Sequence, residues 1–314
     1  MALTRIFLWL GNSFLLIAAM MFLTSFMAIL FGEYSEAAAF GGLALFVGLV
    51  GIIFSGTTWH TPGRESNTEA LAFLLIFWII MPVILCVPYL VLGHVPHAYI
   101  GYFEAVSAVT TTGASTLDAD AIPRALHVWR SFLQWMGGVI TATFAVVVLA
   151  ALNLQGTGVH RSILFTLKKG ELFGRLLGIG RVIAMIYAGV SILCFSFLIL
   201  SGTPVFEAFC LSLTSVSTGG LTPRSGILAD YVNPFGALIL GICCLLGAFN
   251  VAVVWDAFRL RNWRRIFSFF KDVEHRALFA ICGALFLIAF AYTGHMHIVT
   301  ILMETVFFVS STGY

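Results

Sequence analysis

Several uninterrupted apolar runs in this 314-residue chain exceed the length of about 18 residues that marks a membrane span. A backbone crossing lipid must satisfy its own hydrogen bonds, so only helices or a closed barrel can cross, and runs of this length are helices. The soluble-enzyme class is therefore excluded. Charge supports the same reading: 60% of the residues are hydrophobic and 10% charged, where a soluble domain runs at about a quarter charged. A net charge of +2 excludes a nucleic-acid binder recognised by bulk charge, a disordered tail and a secreted disulfide scaffold. The chain reads as a polytopic membrane protein.

Runs of about 20 apolar residues place spans near 6–31, 37–55, 69–93, 128–152, 181–201, 234–257 and 277–294. Arg5 precedes the stretch from Ile6 to Phe31, which is longer than a signal-peptide core of about 7–15 residues. A retained first span is the better reading, although Ala37-Ala38-Ala39 loosely resembles a cleavage site. Between and after the spans lie three apolar pieces, Tyr99–Val109, Val205–Val216 and Ile298–Val309. Each is too short to cross and too apolar for an ordinary loop. A re-entrant helix, an interfacial helix and a buried core segment all have this length.

The basic residues choose among these layouts. With a cytoplasmic N-terminus and the three short pieces entering from outside, all of the 16 Lys and Arg residues except Arg124, Arg130 and Arg224 face the cytoplasm. That is the asymmetry of the positive-inside rule. A full crossing by any short piece would put the basic loops 154–180 and 258–276 on opposite sides. The expected layout is seven spans and three re-entrant segments that face the outside.

The short pieces are also internal repeats. The first, Glu104-Ala-Val-Ser-Ala-Val-Thr110-Thr111-Thr112-Gly113, and the last, Glu304-Thr-Val-Phe-Phe-Val-Ser310-Ser311-Thr312-Gly313, align without a gap. The middle piece runs from Glu207 to Val216-Ser217-Thr218-Gly219-Gly220, and its ending matches when Gly219 is set against Gly113 and Gly313. Such a unit has a specific physics. Non-helical backbone at membrane depth is tolerated where it lines an aqueous cavity or is buried in protein. A hydroxyl-rich strand after a half-length helix can turn its carbonyls towards an axis, and rings of carbonyls replace the hydration shell of a cation. The half-helix aims its partly negative end at the membrane centre. Glycine suits the positions where backbones crowd that axis. Glu104, Glu207 and Glu304 are expected early in their helices, where they can complement the positive helix end and add a cation-attracting rim, set against a reading as capping or surface solvation alone.

The segments Thr-Thr-Thr-Gly-Ala-Ser at 110–115 and Ser-Thr-Gly-Gly-Leu-Thr at 217–222 resemble the first two filter loops of the TrkH potassium transporters, within the Trk/Ktr/HKT superfamily. Leu133-Gln134-Trp135-Met136-Gly137-Gly138 and Phe270-Lys271-Asp272-Val273-Glu274-His275-Arg276 are similar to further family text. The resemblance implies an all-α polytopic membrane protein of repeated span–pore helix–span units with re-entrant selectivity-filter loops. It divides the chain into two leading helices (1–63), a first unit (64–160), a second (161–262) and an incomplete third (263–314). The implied function is potassium uptake across the bacterial inner membrane, with K+ as the transported ion and no cofactor. The filter residues would be Thr110, Thr111, Thr112, Gly113, Ser217, Thr218, Gly219, Ser311, Thr312 and Gly313. In related transporters a serine at the first filter glycine accompanies sodium preference, and here Gly113, Gly219 and Gly313 are all glycine, which favours potassium. The family implies four units around one axis, a homodimer and a cytosolic nucleotide-binding regulatory subunit. Because the third unit ends at Tyr314 without a closing span, a C-terminally truncated sequence is expected. The rival reading is a non-conducting membrane subunit or fragment.

Other polar groups have simpler readings. Lys168, Lys169, Arg264 and Arg265 are candidates for docking a regulatory subunit, set against a role as orientation signals and headgroup contacts. Asp256 and Arg259 can form an i, i+3 ion pair, and Asn250 an interhelical hydrogen bond. The six cysteines lack metal-site spacing and read as small buried hydrophobes. His295 and His297 alone approach ligand spacing. The sequence contains no nucleophile–base pairing, phosphate loop or paired carboxylates at membrane depth, and an enzyme is disfavoured.

Overall fold

A computed structural model describes residues 2–56, 67–151, 172–248, 273–293 and 298–314. The chain opens with a helical hairpin, α1 (Ala2–Phe31) and α2 (Tyr34–Gly56). Gly11 and Gly51 lie at its contact: a Cβ on Gly51 would come within 3.0 Å of the Gly11 carbonyl oxygen. Lacking side chains, both let the helix backbones approach closely, the usual packing device in lipid. The opposite faces carry exposed Leu16, Phe22, Phe26, Leu45, Phe46 and Leu49. Such a surface is stable against hydrocarbon and costly against water.

The apolar run at 69–93 forms two helices rather than one, α3 (Asn67–Leu85) and α4 (Val87–Val91). Pro88 stands in the first turn of α4. Its ring excludes a preceding helical carbonyl and it has no N–H to donate, so the helix breaks at Cys86. There follow α5 (Ala98–Val109), α6 (Arg124–Ala151), α7 (Leu172–Leu200), α8 (Val205–Val216), α9 (Pro234–Ala248), α10 (Val273–Thr293) and α11 (Ile298–Val309).

Among the described residues five segments are long and apolar enough to cross a membrane: Ile6–Phe31, Tyr34–Gly56, Ala72–Val91, Gly178–Leu200 and His275–Thr293. The expected span at 128–152 falls on α6, whose N-terminal half buries His127, Arg130, Ser131 and Gln134 inside the protein. The expected span at 234–257 begins as α9 and continues outside the described residues. Asp256, Arg259, Asn250, His295 and His297 also lie outside them, as do the candidate docking residues Lys168, Lys169, Arg264 and Arg265.

The three 12-residue helices are each seated among longer ones. Helix α5 packs on α3 and α6, α8 on α6, α7 and α9, and α11 on α9 and α10. Two buried hydrophobic clusters fill the interior. One joins α1 to α6 around Met21, Phe40, Tyr89, Trp129 and Leu133. The other joins α7, α8, α9 and α11 around Ile183, Leu198, Leu211 and Leu240.

The leading hairpin is tied to α6 through Glu33. Its carboxylate accepts from the backbone N–H of Arg124 at 2.9 Å and of Ala125 at 2.8 Å. These belong to the free donors that every helix start leaves, and a negative group is favoured there. Glu33→Ala is expected to lower stability by about 1 kcal/mol, the usual cost of a lost N-terminal cap. The midpoint of thermal unfolding in detergent measures it, and an unchanged midpoint would mean that water serves these amides equally well.

Candidate functional site

All three short helices end in the same backbone conformation. After Val109 comes Thr110, then Thr111 at φ 56, Thr112, and Gly113 at φ 77. After Val216 the left-handed residues are Thr218 at φ 53 and Gly220 at φ 74, and after Val309 they are Ser311 at φ 58 and Gly313 at φ 67. The residue between them donates its N–H back to its helix in each case: Thr112 to the Ser107 carbonyl (2.9 Å), Gly219 to Thr214 (2.8 Å) and Thr312 to Phe307 (2.9 Å). A threonine or serine held at positive φ is rare and costs energy. Three at the same offset define one repeated device.

This geometry corrects the sequence alignment of the middle piece. Gly220, not Gly219, is the backbone counterpart of Gly113 and Gly313, and Gly219 stands opposite Thr112 and Thr312. The register is set by distance from the helix end, and the second segment spells Val-Ser-Thr-Gly-Gly where the others spell valine, three hydroxyl residues and glycine.

The segments also stack in order. A Cβ on Gly113 would overlap the carbonyl oxygen of Gly219, and one on Gly220 would overlap that of Thr312. The same two positions meet at each step from first to second to third. The second segment has neighbours on both sides, and Ser217 and Gly219 are buried while Thr110 and Thr112 are exposed. Within the outer two segments the hydroxyls pair locally: Thr110 Oγ1 lies 2.8 Å from Thr112 Oγ1, and Ser310 Oγ lies 2.8 Å from Thr312 Oγ1.

The long helices meet these segments through glycine. A Cβ on Gly137 of α6 would overlap the Val109 carbonyl oxygen, and one on Gly247 of α9 would overlap that of Val216. Each glycine thus seats the end of the short helix that precedes it.

The acidic residues take a different role from the one expected. Glu104 and Glu304 lie mid-helix, and Glu207 alone falls in a first turn. Glu104 is 1% exposed. It accepts from the Thr116 N–H (2.6 Å), the Thr116 hydroxyl (2.9 Å) and the Ser115 hydroxyl (2.9 Å), and Arg130 Nη2 is 3.8 Å away. Glu207 is buried and accepts from Arg224 Nε at 2.7 Å and from Arg224 Nη2. Both carboxylates anchor the chain leaving a hydroxyl-rich segment, so neither offers a free charge to an arriving cation. Glu304 is exposed and has no hydrogen-bond partner among the described residues. With Gly220 as the reference, Glu207 sits one helical turn further from its glycine than Glu104 does, which keeps both on the same helix face.

The chains that follow the first two hydroxyl-rich segments join each other. Asp118 accepts from the Ser225 hydroxyl, and Asp120 Oδ1 from the Ser225 N–H at 3.3 Å. The Ser225 hydroxyl, with the Asp120 amide, holds the Asp118 carboxyl below the usual carboxylate range. Sequence reasoning did not foresee Glu33, the Glu104–Arg130 pair, the Glu207–Arg224 pair or Gln134. A polar glutamine inside an apolar span was the available signal for the last.

A profile of the TrkH family, described as a cation transport protein, matches residues 48–314. The chain belongs to the TrkH family. Among curated relatives, the Trk system potassium uptake protein TrkG of Escherichia coli K12 is 29% identical over 250 residues, covering 77% of this chain and 50% of that protein. The Trk system potassium uptake protein TrkH of Vibrio parahaemolyticus is 27% identical, covering 76% of this chain and 51% of that protein. The chain thus spans about half the length of the curated relatives it matches. The crystal structure of the potassium transporter TrkH from Vibrio parahaemolyticus superposes with a TM-score of 0.81 at 22% identity, over 99% of this chain and 64% of that one. At that identity the likeness speaks for the fold, which in this family member is helical and built for a membrane. A transport family also agrees with the lack of a catalytic constellation in the sequence.

Proposed function

We propose that the three stacked segments are selectivity-filter strands of a potassium uptake protein. The observation that carries this is the repeated contact of a glycine in one segment with a backbone carbonyl in the next. Carbonyls brought together in this way, behind three short helices whose C-terminal ends point at them, offer a cation a substitute for its water shell. Thr110, Thr111, Thr112 and Gly113, Ser217, Thr218, Gly219 and Gly220, and Ser311, Thr312 and Gly313 would form the strands. The names of the relatives supply the ion. On this reading the units 64–160, 161–262 and 263–314 are span–pore helix–span repeats following two leading helices at 1–63.

The bias of Lys and Arg supports a cytoplasmic N-terminus in the bacterial inner membrane. The family resemblance supports a homodimer and a cytosolic nucleotide-binding regulatory subunit, with Lys168, Lys169, Arg264 and Arg265 as docking candidates.

Gly113→Ser tests the filter. The serine must be held at positive φ and has its Cβ against the Gly219 carbonyl, so the carbonyl cage opens. Competitive uptake of K+ and Na+ by cells producing the full chain should show K+ preference falling by about tenfold, a difference of about 1.4 kcal/mol between the ions. Unchanged selectivity in a folded, membrane-inserted variant would sink the proposal.

A further inference from the structure

The second segment lacks the hydroxyl that the first and third carry at Thr112 and Thr312, and the space of the missing side chain is filled from another unit. Gln134 of α6 is fully buried, and a Cβ placed on Gly219 would fall on its carboxamide, within 2.6 Å of both Nε2 and Oε1. Nε2 donates to the Gly219 carbonyl at 2.5 Å, and Oε1 accepts from the Leu221 N–H at 3.4 Å. One amide therefore grips the backbone on both sides of Gly220, the left-handed residue whose face abuts the Thr312 carbonyl. The donor and acceptor it meets fix which way the amide points.

The third segment solves the same problem with the sizes reversed. Gly137 and Gly247 hold equivalent places, each against the last carbonyl of a short helix. Three residues before Gly247 stands Cys244, as Gln134 stands three before Gly137. Cys244 is fully buried and lies beside the Thr312 and Ser310 side chains. A long amide faces a glycine in one place and a short thiol faces a threonine in the other. Close packing explains the pairing, since neither volume can change alone without a clash or a void.

We propose that Gln134 is a positioning residue for ion selection, holding the Gly219 carbonyl and the Gly220 conformation of the second segment from outside it. This rests on the filter reading given above. The amide supplies from α6 the fixing contact that the outer segments obtain from their own hydroxyl pairs, so the filter is sequence-asymmetric while its backbone repeats. Selectivity depends on how rigidly the carbonyls are held, and among the described residues the Gly219 carbonyl is held by this one side chain.

The test is competitive K+ and Na+ uptake by the full chain in cells, with folding followed by size-exclusion chromatography of the detergent-solubilised protein. Gln134→Met conserves volume and removes both hydrogen bonds, and it should lower the K+/Na+ preference about tenfold while the protein remains monodisperse. Gly219→Thr alone should do the same by displacing the amide. The paired exchange Gln134→Cys with Gly219→Thr copies the third segment's solution and should recover selectivity to within about threefold of the parent, because contacting residues are energetically coupled. A folded Gln134→Met variant with unchanged selectivity overturns the proposal, and so does a paired variant no better than the poorer single one. Gly113→Ser, run alongside, separates the two failures. If it alters selectivity while Gln134→Met does not, the filter stands and the role of Gln134 falls; if neither alters it, the filter reading itself falls.

Discussion

Gly220→Ala is expected to reduce potassium uptake by about a hundredfold, and Gly219→Ala by much less. The two glycines are adjacent, so composition and depth cannot separate them, but their backbones differ. Gly220 sits at φ 74, and its missing side chain leaves room for the Thr312 carbonyl oxygen. An alanine there carries the left-handed penalty of about 1–2 kcal/mol, and it must also push the third segment's backbone aside. Overpacking adds about 1–3 kcal/mol, and the sum of about 2–5 kcal/mol corresponds to roughly one and a half to three and a half orders of magnitude in an equilibrium between intact and displaced segments. At Gly219 the obstacle is the end of the Gln134 side chain rather than backbone, so its displacement tells on ion selectivity more than on total uptake, and the residue is not at positive φ. Rubidium or potassium uptake by cells, normalised to protein in the membrane, measures both. If Gly219→Ala proves the more damaging, the second segment follows the register of the simple glycine count and the backbone equivalence drawn here is wrong.

The second large effect belongs to stability. Glu104→Ala is expected to destabilise the protein by about 3–5 kcal/mol, the range for removing one partner of a buried ion pair. Glu104 and Arg130 have side-chain exposures of 0% and 4%, and Nε and Nη1 of Arg130 have no other partner among the described residues. Truncation would leave the guanidinium charged in an apolar interior. It would also strip the Thr116 N–H and the Ser115 and Thr116 hydroxyls of their acceptor, loosening the chain just beyond Gly113. Glu104→Gln with Arg130→Gln removes both charges and keeps hydrogen-bonding groups, so it should recover a large part of the loss. Thermal unfolding in detergent with a double-mutant cycle reads this. Equal destabilisation by the single and the double variants would show that the charges are not coupled.

The positions of the short helices were legible to within a residue: Val205–Val216 and Ile298–Val309 coincide with their expected bounds, and the first gains only Ala98. Length and hydropathy suffice for this, because a dozen apolar residues bounded by glycine, proline and polar residues have few alternatives in a membrane. The break at Cys86 was missed, since hydropathy counts Pro88 without its lost donor. The acids were placed on the right helices and given the wrong surroundings. Whether a carboxylate faces an entering cation or an arginine depends on residues distant in the chain, as Glu207 and Arg224 show.

By itself, then, the sequence determined the membrane environment, the places of the short helices with their hydroxyl-rich ends, and the family. Those follow from local quantities: run length, periodic motifs and the sign of loop charge. Tertiary structure decided the register of the second hydroxyl-rich segment, the burial of Glu104 and Glu207, and the pairing of Gln134 with Gly219. Each of these depends on which backbone lies within van der Waals reach of which other, and a glycine carries no mark of the neighbour it leaves room for. Only the packed segments show that Gly113 makes space for Gly219, Gly220 for Thr312, and Gly219 for an amide from α6.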